Sequence, residues 1–462
     1  MIKIANGTVI TASDSFKADV FIDNGKVVAL GQMPDAKADQ TIDATGQYVI
    51  PGGIDCHTHM DMPFGGTSSS DDFESGTIAA AFGGTTTIVD FAIQSKGSSM
   101  RAGLDAWHAK AEGRAAVDYA FHMIMTEANP QTLEEMASVV REGVTSFKMF
   151  MAYPGVFLVD DQQIFKAMLR AGELGALITM HAEIGLPIDV MVQRALAEGH
   201  TAPVFHALTR SEVAESTGTE RAIALAEMAK VPVYMVHLSA QRALERVMEA
   251  RDRGLPAYAE TCPQYLFLTE DHLRGEPGNE WKGAGYVCTP PLRPAHHHDH
   301  LWRGLRNYDL SVVATDHCPF CMKDQKELGR GDFSKIPNGM PGVETRLHLL
   351  WEGVTKGKIS MNRFVEITST APAKIFGMYG KKGTLAPGAD ADVVVWDPNK
   401  KFELSKKNLH MKVDYSPFEG HVVPGSASHV FSRGELIVKN DAWVGKSQKG
   451  RGQFVRRGTF GL

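Results

Sequence analysis

Val117-Asp-Tyr-Ala-Phe-His-Met-Ile124 is followed by Leu133-Glu-Glu-Met-Ala-Ser-Val-Val-Arg141. Then come Ser146-Phe-Lys-Met-Phe150, Asp161-Gln-Gln-Ile-Phe-Lys-Ala-Met-Leu-Arg-Ala-Gly-Glu-Leu174 and Leu177-Ile-Thr-Met-His-Ala-Glu183. The first, third and fifth of these runs are strand-like, and the second and fourth carry helical patterns. Strands alternating with helices are the pattern of a parallel α/β fold. The same rhythm extends outward, with Ile54–His59 and Thr85–Phe91 on one side and Val233–Leu238, Ala257–Thr261 and Ser311–Asp316 on the other. Helical patterns at Thr219–Lys230 and Gln241–Arg253 fall between them. Eight strands with intervening helices over roughly 250–325 residues predict a (β/α)8 barrel.

The two ends share a texture unlike the middle. Residues 1–50 hold short β-rich runs at Ile2–Ile4, Val20–Ile22, Val27–Leu30 and Tyr48–Ile50, separated by Gly and Asn turns. Residues 383–438 repeat it, with a strand at Asp392–Trp396 and a hairpin over Val430–Val438 turning at Arg433-Gly434. Both ends are therefore expected to build one small β-sandwich domain. The expected division is 1–52 and 377–440 for that domain, 53–376 for the catalytic barrel and 441–462 for a tail. The tail is Gly-rich and basic from Lys446 onward, and reads as a solvated segment or as an arm on a neighbouring subunit.

The 462 residues suit one large barrel plus a smaller unit. With 43% apolar residues the chain can bury a large core, and 22% charged residues argue against global disorder. A net charge of −6 gives no reason to expect nucleic-acid binding. No stretch approaches 18 uninterrupted apolar residues, so no membrane span is expected. Asn6-Gly7 breaks the start before a signal-peptide apolar region could form. Five cysteines fit a reducing cytoplasm better than a disulfide framework. Cys318-Pro-Phe-Cys321 lacks the second pair and the context that zinc or redox chemistry would need, so both read as ordinary thiols.

Active sites of such barrels lie at the C-terminal ends of the strands. The first strand closes on His57-Thr-His59, whose period of two aims both imidazoles the same way. The fifth closes on His181, the sixth on His237 and the eighth on Asp316. Four histidines and one aspartate at the same ends of four strands suggest metal ligands rather than core histidines. The fourth strand adds Lys148 between aromatic and apolar neighbours. It is either a snorkelling lysine or a neutral amine that has added carbon dioxide, and the surrounding ligands favour the carbamate. The set implies two zinc ions: His57, His59 and Asp316 on one, His181 and His237 on the other, and carboxylated Lys148 between them. A hydroxide held between the metals is the expected nucleophile, with Asp316 as its proton acceptor. His296-His-His298-Asp-His300 reads as solvated surface on a helical connection, and His317 is expected to point away from Asp316.

These residues resemble the cyclic amidohydrolases, specifically the dihydropyrimidinase and D-hydantoinase family. The resemblance spans nearly the whole chain, through Ile4–Val9, Pro51–His59, Asp71–Phe73, Gly83–Thr86, Phe147–Tyr153, His181–Glu183, Glu260–Tyr265, Cys288–Arg293, Asp316–Cys318, Pro337–Glu344 and Gly388–Asp392. It implies the same binuclear zinc site with Lys148 as the bridge. It also implies Tyr153 as donor to the developing oxyanion, and Thr289 and Asn338 as positions whose backbone groups bind the ring imide. The loops 62–70 and 153–159, with Phe64 and Phe157, would shape the pocket for the ring substituent. The implied activity is hydrolysis of the ring amide of 5,6-dihydrouracil, dihydrothymine or 5-substituted hydantoins to N-carbamoyl amino acids, in a homotetramer whose subunits associate through the basic tail, which favours the arm reading of 446–462. The family often carries Asn after His-Ala-Glu, and here that residue is Ile184.

Allantoinase and dihydroorotase are the nearest alternatives among enzymes. Dihydroorotases often carry Arg two residues after His-x-His to bind the substrate carboxylate, and here that position is Asp61, which is expected to repel a carboxylate. Metal-free scaffold relatives of the same fold form a non-enzyme alternative, against which all six ligand positions are intact.

Overall fold

The computed structural model describes residues 1–33 and 36–460. Eight parallel strands follow one another in chain order: Gly53–Thr58, Thr85–Gln94, Asp118–Met125, Ser146–Phe150, Leu177–His181, Val233–Met235, Ala257–Thr261 and Val312–Val313. The fourth and seventh have the expected bounds. The sixth and eighth are shorter than the sequence suggests, ending at Met235 and Val313. The cause is local: His237 and Asp316 take left-handed backbone angles, φ 40° and 52°, which a strand ladder does not accommodate.

First and eighth strands share no ladder, so other groups close the barrel. Thr58 and His317 form a single parallel bridge, and the His59 amide donates to the His317 carbonyl at 2.8 Å. Buried Asp55 accepts from the Thr315 amide at 3.1 Å and from its hydroxyl at 2.6 Å. Buried Arg346 donates to the carbonyls of Ile54 and Val313 at 2.9 and 3.0 Å. This stitching anchors His57 and Asp316 from both sides of the seam.

The outer helices are set by amphipathic pattern and end signals. In Asp161–Leu174, Ile164, Ala167, Met168 and Ala171 are buried at helical spacing. The Asp160 carboxylate caps the Gln163 amide at 2.9 Å, worth about 1 kcal/mol. Gly175 ends the helix at φ 63°, a conformation that glycine adopts without a Cβ clash.

Strands from both chain ends share one seven-stranded sheet, in which Tyr48–Pro51 runs antiparallel to Val393–Leu404. A four-stranded sheet of N-terminal strands only orders as Lys26–Gly31, Asp19–Asp23, Ile2–Ala5 and Gln40–Asp43. Ile4, Val20, Ile42, Val49, Val393 and Phe431 form the shared apolar core. The hairpin turns at Arg433 (φ 45°) and Gly434 (φ 75°), with Ser432 opposite Glu435. Lys382 fastens these strands to the barrel: its buried ammonium lies 2.6 Å from Asp118 and Asp392 and 3.0 Å from Asp390.

Two sequence expectations need correction. The basic tail is not a solvated segment over residues 450–460. Its backbone pairs with this chain's own barrel through Gly452 to Ala115, Val455 to Tyr119 and Phe460 to Gly175. Buried Arg457 donates to the Phe121 carbonyl and, at 2.8 Å, to the Ser146 hydroxyl, so it seals the end of the barrel away from the strand C-termini. Residues 461–462 of the tail lie outside the described residues. The His296–His300 tract is not wholly solvated either. His297 is buried and accepts from the Gln241 amide at 2.9 Å, and His298 bonds the Leu268 carbonyl at 2.8 Å. Among the described residues no helix is long and apolar enough to cross a membrane.

Candidate metal and substrate site

Side chains from five strand ends converge on one cavity. His57 and His59 lie on one face of the first strand, as the period of two predicts, with ring centroids 5.1 Å apart. Both aim Nε2 at Asp316 Oδ1, at 3.1 and 3.2 Å. Lys148 Nζ sits 2.9 Å from His57 Nε2. His181 Nδ1 and His237 Nε2 are 3.0 Å apart, and the His57 and His237 rings lie 5.4 Å apart. The six candidate ligands therefore occupy one cluster. His317 turns away, to Asp71 at 3.2 Å and the Gly342 amide at 3.0 Å.

Two carboxylates that the sequence reading left without a role fix the imidazoles. Glu260, from the seventh strand, takes His57 Nδ1 on Oε1, which also accepts from the His237 amide at 3.1 Å. Its Oε2 accepts from the Tyr234 hydroxyl at 2.8 Å. Glu183 bonds His181 Nε2 at 2.9 Å. Each carboxylate holds one ring N–H and so aims the other nitrogen at the cluster, the usual arrangement around a metal-binding histidine. Glu260 lies one strand over from His237 and 203 positions from His57 in the chain, so only the closing of the barrel brings it to His57.

The electrostatics follow from burial. Desolvation pulls His59 down to about 3 and His237 well below the usual imidazole range, so both are neutral, as ligands must be. Desolvation also lowers Lys148 to about 8, against the attraction of Asp316 and Glu260, which brings a neutral amine within reach. Burial alone would raise Asp316, but the charge and hydrogen bonds of His57 and the bond from His59 outweigh it and hold the carboxyl well below the usual range. Asp316 is thus ionised and can accept a proton.

The donor set passes a simple test of fit. His57, His59 and Asp316 each offer a ligand atom within 4.8 Å of the others. Buried His59 Nδ1 and His237 Nδ1 have no partner, leaving their tautomers free to suit a cation. Imidazole nitrogens with carboxylate oxygens suit a borderline divalent ion such as zinc. A second acidic group, Asp118, Asp390 and Asp392, is no such site, because Lys382 already occupies its centre.

Above the ligands stands an aromatic wall. Phe64 and Phe157 stack at 6.3 Å, Phe150 and Phe157 at 4.9 Å, and Tyr153 meets Phe64 edge-on at 5.6 Å. Tyr153, Thr289 and Asn338 line the same cavity, and Tyr153 is held at φ 62°. Burial raises the Tyr153 phenol, and hydrogen bonds with Thr289 and Asn338 only partly offset that, so it stays protonated. Three of the candidate residues, Tyr153, His237 and Asp316, thus hold left-handed backbone that costs of order 1–3 kcal/mol each, as functional sites often do. Met62, Phe150, Cys318 and Gly339 also line the cavity. Asp61 does not. Its carboxylate lies 3.5 Å from Lys110, which also bonds its carbonyl at 2.6 Å, so Asp61 cannot guard the pocket as its place after His59 suggested.

Comparison with known proteins places this architecture among hydrolases. The amidohydrolase family model matches residues 48–437. The D-hydantoinase of Streptomyces coelicolor is 57% identical over 461 residues, covering 99% of this chain and 98% of that protein. The D-hydantoinase of Geobacillus stearothermophilus is 50% identical over 460 residues, covering 99% and 97%. The crystal structure of dihydropyrimidinase from Brevibacillus agri superposes with a TM-score of 0.97 at 52% identity, over 100% of this chain and 99% of that one.

Proposed function

The chain belongs to the amidohydrolase family, within it to the dihydropyrimidinase and D-hydantoinase group, and we propose that it hydrolyses the ring amide of 5,6-dihydrouracil, dihydrothymine or 5-substituted hydantoins. The products are N-carbamoyl amino acids. The observation that carries this reading is the convergence of His57, His59, Lys148, His181, His237 and Asp316 beneath an aromatic pocket. These residues would hold two zinc ions, with Lys148 between them as a carbamate formed from its neutral amine and carbon dioxide. When bound, the metal pair supplies the Lewis acidity that activates water and polarises the scissile carbonyl.

The remaining work falls to the chain's own groups. Asp316, ionised and beside both first-strand histidines, takes the proton of the attacking water and passes it to the leaving ring nitrogen. Tyr153, protonated and buried, donates to the carbonyl oxygen as that oxygen gains charge. Backbone groups at Thr289 and Asn338 hold the ring imide, and Phe64 and Phe157 face the substituent. The D-hydantoinase relatives support a preference for the D-configured hydantoin ring. A homotetramer in the cytoplasm completes the proposal, the latter supported by five unpaired thiols.

The test is initial rates of the zinc-reconstituted protein on dihydrouracil, hydantoin and 5-phenylhydantoin, side by side. Ring opening of at least one is expected, with about two zinc per chain. Absence of ring opening on all three overturns the reading, and absence of metal binding favours a scaffold.

A further inference from the structure

Lys326 plays no part in the chemistry above, yet it is the most completely enclosed lysine near the pocket, with no exposed surface at all. It opens a short 3-10 helix, Lys326–Gly329, after the Cys318–Cys321 segment. Its amine donates to three main-chain carbonyls: Pro337 at 2.6 Å, Gly339 at 2.9 Å and Val287 at 3.2 Å. The titratable groups beside it are the thiols of Cys288 and Cys318, which burial keeps protonated and neutral, and no carboxylate is among them. A buried amine of this kind is costly to keep, since an ion pair does not offset its desolvation.

The location of the three carbonyls is informative. Pro337 and Gly339 flank Asn338, and Val287 lies two residues before Thr289. The Gly339 amide also donates to the Val287 carbonyl, at 2.9 Å. Gly339 sits at φ 146°, and a Cβ there would lie 2.1 Å from the Cys318 carbonyl, so the segment runs against its neighbour with no room to shift. Lys326 thus ties together the two backbone segments that present Asn338 and Thr289 to the cavity.

We propose that Lys326 is a positioning residue for the substrate ring: it clamps the 287–289 and 337–339 segments so that the ring-binding groups at Thr289 and Asn338 are held in register. The proposal rests on the reading of those two positions as ring-binding. The clamp touches no metal ligand and reaches Tyr153 only through that residue's hydrogen bonds with Thr289 and Asn338, so its loss falls chiefly on ring binding. Because it acts on the ring and not on the substituent, dihydrouracil, hydantoin and 5-phenylhydantoin are affected alike.

Lys326→Met removes all three donated bonds, and Lys326→Gln retains some donor capacity. Steady-state kinetics of both zinc-loaded variants on the three substrates, with melting temperature and zinc content, test the clamp. The expected result is a KM raised about tenfold or more by Met and less by Gln, on every substrate, with kcat within about threefold of the parent. Parental KM with a lowered melting temperature overturns the proposal and makes Lys326 a purely structural residue. If Lys326→Met does not fold, Lys326→Gln decides by the same criterion, and failure of both to fold also overturns it. A parent inactive on every ring substrate removes the underlying reading instead, which distinguishes the two failures.

Discussion

Dihydroorotate differs from dihydrouracil by one carboxylate, and that group should lower kcat/KM by about two orders of magnitude. The cavity supplies nothing to pair with it. Phe64, Phe150, Tyr153, Phe157, Met62 and Cys318 make up the walls above the candidate ligand cluster, and the one lysine in the lining is Lys148, proposed as the bridge. Asp61, turned toward Lys110, contributes no repulsion, so the penalty comes from desolvation without a partner. An unpaired buried charge costs several kcal/mol. The mouth of the cavity lets water screen part of this, so about 3 kcal/mol is a fair value, and that is roughly a hundredfold in rate. The assay is ring opening of both substrates at concentrations well below KM. Phe64→Arg places a cation at the wall and should narrow the ratio. Comparable kcat/KM for the two rings would refute the argument. The cation then responsible would be Arg210, which lines an adjoining cavity that shares Tyr153 and Thr289 with the catalytic one. Arg210→Met would restore the discrimination in that case.

On the proposed carbamate bridge, Lys148→Ala should lose both zinc and activity, because the histidines remain but the bridging anion is gone; acetate or propionate should restore part of the turnover, and metal analysis alongside the rate checks it. Asp316→Asn should abolish turnover in the fraction of enzyme that retains zinc, since the amide cannot accept a proton. Tyr153→Phe should lower kcat by about 10²–10³, the usual worth of one oxyanion donor, and a change in KM alone would reduce Tyr153 to a substrate contact. Lys382→Met should destabilise the fold by about 3–5 kcal/mol, read as a lowered denaturation midpoint, because it leaves Asp118, Asp390 and Asp392 buried without their shared cation.

The barrel was legible because each of its strands is a short apolar run and each helix shows its own period. Asp161–Leu174 and Ser146–Phe150 match their expected bounds since the cap residues and the apolar spacing agree there. The shortened sixth and eighth strands were not legible. Nothing in Val-Tyr-Met-Val-His237 or Val-Val-Ala-Thr-Asp316 distinguishes a residue that continues the strand from one that leaves it in left-handed backbone. Barrel closure by Arg346 and Asp55 was also invisible, since it joins groups separated by 291 positions in the chain.

The candidate site divides along the same line. Residues that close a strand announce themselves, because a polar side chain there interrupts an apolar run: His57, His59, His181 and Asp316 all do so. Groups that act on them from beneath do not. Glu260 sits inside Ala-Tyr-Ala-Glu-Thr261, where it reads as one polar residue in a half-buried strand, yet its two oxygens serve His57, the His237 amide and Tyr234 at once. Lys326 lies in a polar stretch, Lys-Asp-Gln-Lys-Glu, whose composition predicts an exposed loop. Its burial depends on three carbonyls supplied by segments 11 to 39 residues away. Ligands are therefore encoded by position within a strand, whereas the groups that orient ligands and substrate are encoded by where the folded chain returns. The tail makes the same point from the far end of the barrel. Its arginines read as solvated charge until Arg457 is seen donating to the Phe121 carbonyl and the Ser146 hydroxyl, on the two strands that lead to Met125 and to Lys148.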